Sequence, residues 1–419
     1  MVPGRFCLIS LALLITLTSC GLPAGNQTNV NETPARPEPS PGTPTLAPTV
    51  TPSPPPPTET PTATAEPLRG LAPGDLDRLV DLHEYSSAIT RAPGVPADFD
   101  RTFLSVLAYS PDGRFLAVAG CTEFLGGSIA GPAKCGLPDS MTPMAKTFLI
   151  VLDANTESLV AALPETEPHT SITDLAFTHD GGRLFYTLRN PTSDSQLFVW
   201  DMDSQRAEPY HWAGRGYPSI DVSPDDRWLA LDNGTQDDST GKVSILDLAS
   251  GELARELPAG YYDPQFSSDG TKLAVAPHGQ FVVYEAGAWQ EVGSIDLPCE
   301  RRCYVALSPD LSLLATSEAL QDNAPLLVSD IDSGQQLQSL PAGDDNTRLL
   351  VFTPDGSMLW NLTDGAQVTV WDAETWQSLG SKGFLSELYI WDPYGIQFAD
   401  DGRTLLVETF LFFFQLGLP

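Results

Sequence analysis

A short motif centred on an acidic turn recurs seven times along the chain and restricts the folds open to it. Each copy has an apolar strand, a turn related to Ser-Pro-Asp-Gly and a second apolar strand, as in LAYSPDGRFLAVAG and PQFSSDGTKLAVAP. The turn aspartates are Asp112, Asp180, Asp225, Asp269, Asp310, Asp355 and Asp401, at intervals of 68, 45, 44, 41, 45 and 46 residues. A period of about 40 to 45 residues with about four short strands is typical of the blades of a β-propeller. The repeat therefore predicts an all-β fold, a seven-bladed β-propeller over residues 75–419.

The segments between the turns follow a constant order of strands, a to d. The turn joins strands a and b, strand c follows as in FLIVLD, VSILD and VTVWD, and a second turn such as ASGE leads into strand d. The turn Asp bonds its own backbone and the turn Gly accepts positive φ, so we interpret both as scaffold. The long first interval is interpreted as an ordinary blade with an insertion that contains Cys121 and Cys135.

Two of the c strands end in the dipeptides Trp200-Asp201 and Trp371-Asp372. With these, the repeat resembles the WD40 and related SPDG-type propellers over roughly residues 76 to 416. The resemblance implies a buried hydrogen-bonded tetrad in the second blade, formed by His169, Thr187, Asp194 and Trp200. The Gly-His pair of the WD40 family is absent, and TolB-like propellers share the turn, so both families stay open and neither indicates a partner.

The two ends of the repeat region predict how the last blade is completed. After IQFADDGRTLLVET the sequence runs into FLFFFQLGLP, which leaves no segment for a strand d, whereas Leu76 to Glu84 looks like a strand d without a blade. Pairing these segments removes the open edges that favour aggregation, so we predict that an N-terminal strand closes the C-terminal blade. The aromatic run from Phe410 to Phe414 is then a buried strand, because it is far too short to span a membrane.

The first twenty residues predict export and a lipid anchor. Arg5 precedes an apolar run from Phe6 to Leu17, the pattern of a secretory signal. The run ends in Leu-Thr-Ser followed by Cys20, which resembles the bacterial lipobox; a plain signal peptide is the alternative. The resemblance implies a signal peptide over residues 1–19, a lipidated Cys20 and a protein anchored in the cell envelope. Residues 20–74 are rich in Pro and Thr and poor in aliphatic residues, which predicts a disordered linker.

Charge and cysteine content exclude several kinds of partner and site. A net charge of −32 repels nucleic acid, and we expect no nucleic-acid partner. We interpret the excess of acidic residues as favouring solubility of the chain. The alternative is that some of them form an acidic binding site. For an exported protein we expect local disulfides, Cys121 with Cys135 and Cys299 with Cys303. Neither pair has a nearby histidine, so no metal site is predicted, and no motif indicates a cofactor or a catalytic constellation.

The long connections fall between strands b and c and between strands d and a, which open on one face of a propeller. Function in such folds tends to lie on elaborated loops held by a rigid scaffold. Aromatic and Arg side chains near the start of strand a predict a ligand-binding face there: Trp212, Arg215, Tyr217, Tyr261, Tyr262, Arg302, Arg348, Trp391 and Tyr394. The alternative is that these rings only pack blade against blade. We expect a binding module or scaffold for a protein, peptide or glycan, or alternatively a cell-surface hydrolase or lyase.

Overall fold

The structure is a computed structural model, and every secondary-structure element that it describes is a β-strand. It describes residues 80–84, 101–123, 146–154, 156, 158–163, 170–189, 194–214, 218–232, 241–258, 260, 262–277, 279–298, 303–318, 323–342, 345–363, 367–383, 395–398, 405–408 and 413–417. In this part of the chain no helix is long and apolar enough to cross a membrane. The predicted signal peptide and linker lie outside these residues. The insertion in the first blade, Cys121 to Lys146, also lies outside them apart from its first three residues and its last.

The first strand, β1 (Val80–Glu84), is followed by six antiparallel sheets that are each built from four consecutive strands. Sheet 1 has β2 (Arg101–Tyr109), β3 (Phe115–Glu123), β4 (Lys146–Asp153) and β5 (Leu159–Ala162). Sheet 2 has β6 (Ser171–Phe177), β7 (Arg183–Arg189), β8 (Ser195–Asp201) and β9 (Arg206–Gly214). Sheet 3 has β10 (Ile220–Val222), β11 (Trp228–Asp232), β12 (Lys242–Asp247) and β13 (Glu252–Pro258).

The next three sheets repeat the same meander. Sheet 4 has β14 (Gln265–Phe266), β15 (Lys272–Val275), β16 (Gln280–Glu285) and β17 (Glu291–Asp296). Sheet 5 has β18 (Cys303–Leu307), β19 (Leu313–Glu318), β20 (Leu326–Asp330) and β21 (Gln336–Leu340). Sheet 6 has β22 (Thr347–Phe352), β23 (Met358–Thr363), β24 (Gln367–Asp372) and β25 (Ser378–Gly383). The predicted order of strands a to d is therefore present in all six.

A terminal sheet combines the two ends of the repeat region. Its remaining strands are β26 (Gly395–Phe398), β27 (Leu405–Glu408) and β28 (Phe413–Gly417), and its order is β1-β28-β27-β26. β1 runs antiparallel to β28, with Val80 opposite Gly417 and Glu84 opposite Phe414. The segment predicted as an isolated strand d thus pairs with the C-terminal aromatic segment.

The a–b turns are built by one hydroxyl and one carboxylate. In sheet 1, Ser110 Oγ donates to Asp112 Oδ1 at 2.7 Å and accepts from the N–H of Phe115 at 2.8 Å, while the N–H of Arg114 donates to Asp112 at 3.0 Å. The same bond joins Thr178 to Asp180, Ser223 to Asp225, Ser267 to Asp269, Ser308 to Asp310 and Thr353 to Asp355. Because these bonds use neighbouring residues only, the turn forms from local sequence, as predicted.

The carboxylate of the Trp-Asp dipeptides closes the second turn. Asp201 Oδ1 accepts from the N–H of Ser204 and Asp372 Oδ1 accepts from the N–H of Thr375, each at 2.7 Å. The third strands of sheets 3, 4 and 5 end in Asp247, Glu285 and Asp330 at the equivalent position. In sheets 2 to 6 the residue four positions after this acidic residue has a left-handed backbone conformation: Gln205, Gly251, Trp289, Gly334 and Trp376. The dipeptide aspartates are therefore turn residues.

The hydrophobic core lies between consecutive sheets. Leu149 of sheet 1 and Trp200 of sheet 2 share one buried cluster, and comparable clusters join sheets 2 and 3, 3 and 4, 4 and 5, and 5 and 6. The first strands of neighbouring sheets also lie side by side, β2 with β6, β6 with β10, β10 with β14, β18 with β22 and β22 with β26. Repeated four-stranded antiparallel sheets packed in this way are compatible with a propeller-like repeat fold.

Candidate functional site

Six of the solvent-accessible polar and aromatic side chains on or next to the first strands of sheets 2 to 6 interact with groups of another sheet. We name them the first-strand cluster: Asp174, Asp221, Tyr262, Asp263, Tyr304 and Arg348. Asp174, Asp263 and Tyr304 each lie four residues before the turn hydroxyl of their sheet, and Tyr262 and Arg348 lie five residues before it. The repeat therefore brings equivalent positions of neighbouring sheets to the same end of adjacent strands.

Asp174 connects sheet 2 to sheet 3. Its Oδ2 accepts from the backbone N–H of Ile220 at 2.7 Å, and its Oδ1 accepts from the N–H of Leu175 at 2.8 Å. Burial raises the pKa of Asp174 well above its ordinary value, and the charges of Asp263 and Asp221 raise it further. The two N–H bonds act in the opposite direction because they favour the ionised form.

Asp221 repeats this arrangement one sheet further on. Its Oδ2 accepts from the backbone N–H of Phe266 in sheet 4 at 2.6 Å. Burial, with a smaller contribution from Asp263, raises the pKa of Asp221 to about 7 against the bonds from Phe266 and Val222. A carboxyl with this pKa exchanges its proton at physiological pH.

Asp263 is the most accessible of the three carboxyl groups. Its surface is exposed to solvent, yet enough protein surrounds it that desolvation raises its pKa, while a hydrogen bond from the Ser219 hydroxyl lowers it. Asp174, Asp221 and Asp263 interact electrostatically with each other, so a positive charge placed among them is stabilised by all three.

The other half of the cluster carries aromatic and guanidinium groups. The Tyr262 hydroxyl donates to the carbonyl of Cys303 at 3.0 Å and accepts from its N–H at 3.2 Å, and its ring packs against Phe281 with centroids 5.4 Å apart. Arg348 Nη1 donates to the Tyr304 hydroxyl at 3.3 Å. Tyr262 therefore joins sheets 4 and 5, and the Arg348–Tyr304 pair joins sheets 5 and 6.

Besides Tyr262 and Arg348, seven residues were predicted for the ligand-binding face, and only one of them lies within the described residues. Trp212 lies in β9 and packs against the buried cluster between sheets 2 and 3. The others lie outside the described residues: Arg215, Tyr217, Tyr261, Arg302, Trp391 and Tyr394. A shared recognition surface for these six residues stays a prediction.

Part of the predicted tetrad can be located. Thr187 is buried, and its hydroxyl lies 2.8 Å from that of Thr173 and donates to the carbonyl of Pro218 at 3.2 Å. Trp200 is buried and its indole N–H has no hydrogen-bond partner in the described part of the chain, while Asp194 is exposed. His169 lies outside that part, so the tetrad stays a prediction.

Two of the four cysteines that were predicted to form disulfides lie within the described residues. Cys303 is buried at the start of β18 and Cys121 lies in β3, but Cys135 and Cys299 are outside the described residues. Both predicted pairings therefore stay predictions. Within the ranges given above, no group of three or more His, Cys, Asp and Glu side chains is arranged to hold a metal ion.

Four residues of the first-strand cluster, its three carboxylates and Tyr304, are site residues that the sequence alone did not predict. An aspartate recurs at the same register in sheets 2 and 4, four residues before the turn hydroxyl, and this alignment was the available signal. Asp221 lies two residues before its turn hydroxyl and has no counterpart of its type in sheets 1, 2, 4, 5 or 6.

A scan against protein-family models gives no match, and a search of curated proteins finds none that matches this chain.

Proposed function

We propose that the chain is a binding module: a seven-bladed, WD40-like or TolB-like β-propeller, held in the cell envelope by a lipid on Cys20. In this proposal the module recognises a protein, peptide or glycan on the face of its b–c and d–a connections. The N-terminal signal and lipobox-like sequence support the location. The packed four-stranded sheets support the propeller, and the pairing of β1 with β28 supports closure of the ring through the terminal sheet.

The observation that carries the binding role is the first-strand cluster. Side chains on buried scaffold strands are normally apolar, yet this end of the first strands presents three carboxyl groups, two phenols and a guanidinium to solvent. A cationic group of a ligand gains Coulombic energy there and lowers the raised carboxyl pKa values, so binding releases protons. Tyr304 and Arg348 add a rigid aromatic surface and hydrogen-bond donors beside it.

Cross-linking of envelope partners in intact cells tests the proposal. The chain carrying both Asp174→Asn and Asp221→Asn keeps side chains that accept the bonds from Ile220 and Phe266 but loses the charges. We expect a partner cross-linked by the native chain to be lost with this variant and kept with Glu252→Gln, a change at an exposed position of β13. Equal capture by all three chains would exclude the cluster as the binding site.

The proposed location at the membrane is tested separately by cell fractionation. A Cys20→Ser chain lacks the thiol that accepts the lipid, so we expect it to leave the membrane fraction while the native chain stays there. Recovery of both chains in the same fraction would refute lipid anchoring without bearing on the binding site.

A hydrolase or lyase is the second candidate, and one observation favours it. Asp221, with a pKa of about 7 beside two further carboxyl groups, has the properties of a general acid or base at neutral pH. Turnover of a glycan or peptide by the native chain, with loss in the Asp221→Asn variant, would support catalysis in place of binding alone.

A further inference from the structure

A groove of about 380 Å³ lies between sheets 4 and 5, at the outer strands and separate from the first-strand cluster. Its polar and apolar lining comes from both sheets: Gln280, Ser294 and Asp296 from sheet 4, and Leu327, Ser329 and Gln336 from sheet 5. These residues provide amide, hydroxyl and carboxylate groups, and the lining contains neither an aromatic ring nor a Lys or Arg. The composition disfavours an anionic ligand and lacks the platform on which a sugar ring stacks.

One wall of this groove is the edge strand β17, whose backbone can accept another strand. Leu297 N–H donates to the carbonyl of Gly279 at 2.7 Å, and the register then places Phe281 opposite Ile295 as the next bonded pair. In an antiparallel ladder the residues between bonded pairs direct N–H and C=O away from the partner strand. The outward groups of β17 therefore belong to Ser294 and Asp296, the residues that line the groove, and no described strand pairs with them.

The corresponding edges of the neighbouring sheets are blocked. Pro258 in sheet 3 and Pro341 in sheet 5 lie eleven residues after the carboxylate that opens the c–d turn, and Asp296 holds this position in sheet 4. Proline has no N–H and is a common protection of exposed sheet edges. On β13 the preceding outward position, Glu256, is also occupied by an ion pair with Lys242. β17 has neither protection at Ser294 or Asp296; the nearest proline of the groove lining, Pro298, lies two residues beyond Asp296.

Exposed apolar and acidic side chains surround the open edge. Val292 on β17 is 48% exposed and Leu337 on β21 is 45% exposed. Asp296 lies in the groove, and Asp332 Oδ1 lies 3.2 Å from where a side chain on Gly293 would begin. A polypeptide segment that complements this edge is therefore extended and basic, and it has apolar side chains that contact Val292 and Leu337.

We propose that the groove between sheets 4 and 5 binds an extended, basic polypeptide segment of a partner protein, which pairs as an added strand with β17. Main-chain hydrogen bonds to Ser294 and Asp296 supply affinity, and the surrounding carboxylates select Lys or Arg. This site is independent of the ligand-binding face proposed above.

Two labelled hexapeptides serve as probes for the full chain: one alternates Val and Thr with Lys at both ends, and the other has Glu at both ends. We expect only the basic peptide to bind. Asp296→Pro, which reproduces Pro258, removes the outward N–H and should weaken binding by about tenfold or more, whereas Asp296→Asn keeps the N–H and should weaken it by only about threefold. Arg348→Ala should leave peptide binding unchanged, which separates this site from the proposed ligand-binding face.

Several results would overturn the proposal. Equal losses in Asp296→Pro and Asp296→Asn would show that the carboxylate binds the peptide and the strand edge does not. Equal binding of the acidic peptide, or no binding of the basic one, would refute it directly. If the Asp296→Pro variant fails to fold, amide hydrogen exchange of the native chain tests the proposal instead. We expect the basic peptide to slow exchange at Ser294 and Asp296. Protection confined to other strands would refute strand addition.

Discussion

Replacing Asp221 by asparagine should stabilise the fold above neutral pH. The carboxyl is held against the N–H of Phe266 at 2.6 Å, a bond that an asparagine carbonyl oxygen also accepts. The variant therefore keeps the connection between sheets 3 and 4 but cannot ionise. Its effect on the free energy of unfolding isolates the cost of the buried charge.

The magnitude follows from the pKa of Asp221. Burial raises it to about 7 from an ordinary value of 3.8, a change of about three units. At about 1.4 kcal/mol per unit this corresponds to an upper limit of about 4 kcal/mol. Asp221 is partly exposed, and solvent screening reduces the cost, so we expect about 2 kcal/mol.

The pH window follows from the sign of the shift. Below about pH 4 the carboxyl is protonated in both states, and the native chain has the full stability of the neutral group. As the pH rises towards 7 the unfolded chain ionises first, so the native chain loses stability relative to the Asp221→Asn variant. The difference should grow between about pH 4 and pH 7 and then stay constant.

Urea unfolding followed by the fluorescence of the eight tryptophans measures this difference between pH 4 and 8.5. Asp269→Asn is the control of opposite sign, because the Ser267 hydroxyl and the N–H of Thr271 lower the pKa of this turn carboxylate. It should destabilise the fold at neutral pH, with an effect that disappears as the pH falls through the lowered pKa. A pH-independent difference for Asp221→Asn, or a less stable variant at pH 8, would refute the reasoning.

Two further substitutions test the packing between elements. Gly260→Ala places a Cβ 1.7 Å from the carbonyl oxygen of Ala276, so we expect a loss of about 1 to 3 kcal/mol in urea unfolding, whereas Gly383→Ala meets nothing within 4 Å and should be neutral. Equal stability of both alanine variants would contradict this close approach. Tyr262→Phe removes the hydroxyl bonded to both backbone groups of Cys303 and should cost about 1 to 2 kcal/mol. A native-like melting temperature for that variant would show that the hydroxyl does not stabilise the joint between sheets 4 and 5.

The sequence alone determined those features of the molecule that depend on neighbouring residues. The turn formed by Ser110 and Asp112, and its copies, could be read directly because hydroxyl, carboxylate and backbone lie within five residues of each other. The alternating apolar pattern predicted the strands, and the leftover segment before the first repeat predicted the strand that pairs with β28. Such signals are local or periodic, so one sequence contains them.

Only the tertiary structure decided which side chains meet across sheets. Tyr262 was predicted for recognition, which stays a prediction, and only the structure shows that its hydroxyl also binds the backbone of Cys303 in the next sheet, a contact between residues 41 positions apart. The grouping of Asp174 with Asp221 and Asp263 depends on the lateral packing of three first strands and on burial, which raises their pKa values. The open edge of β17 likewise follows from its register against β16. The repeat that predicted the strands does not encode these contacts, because they depend on how successive sheets are placed side by side.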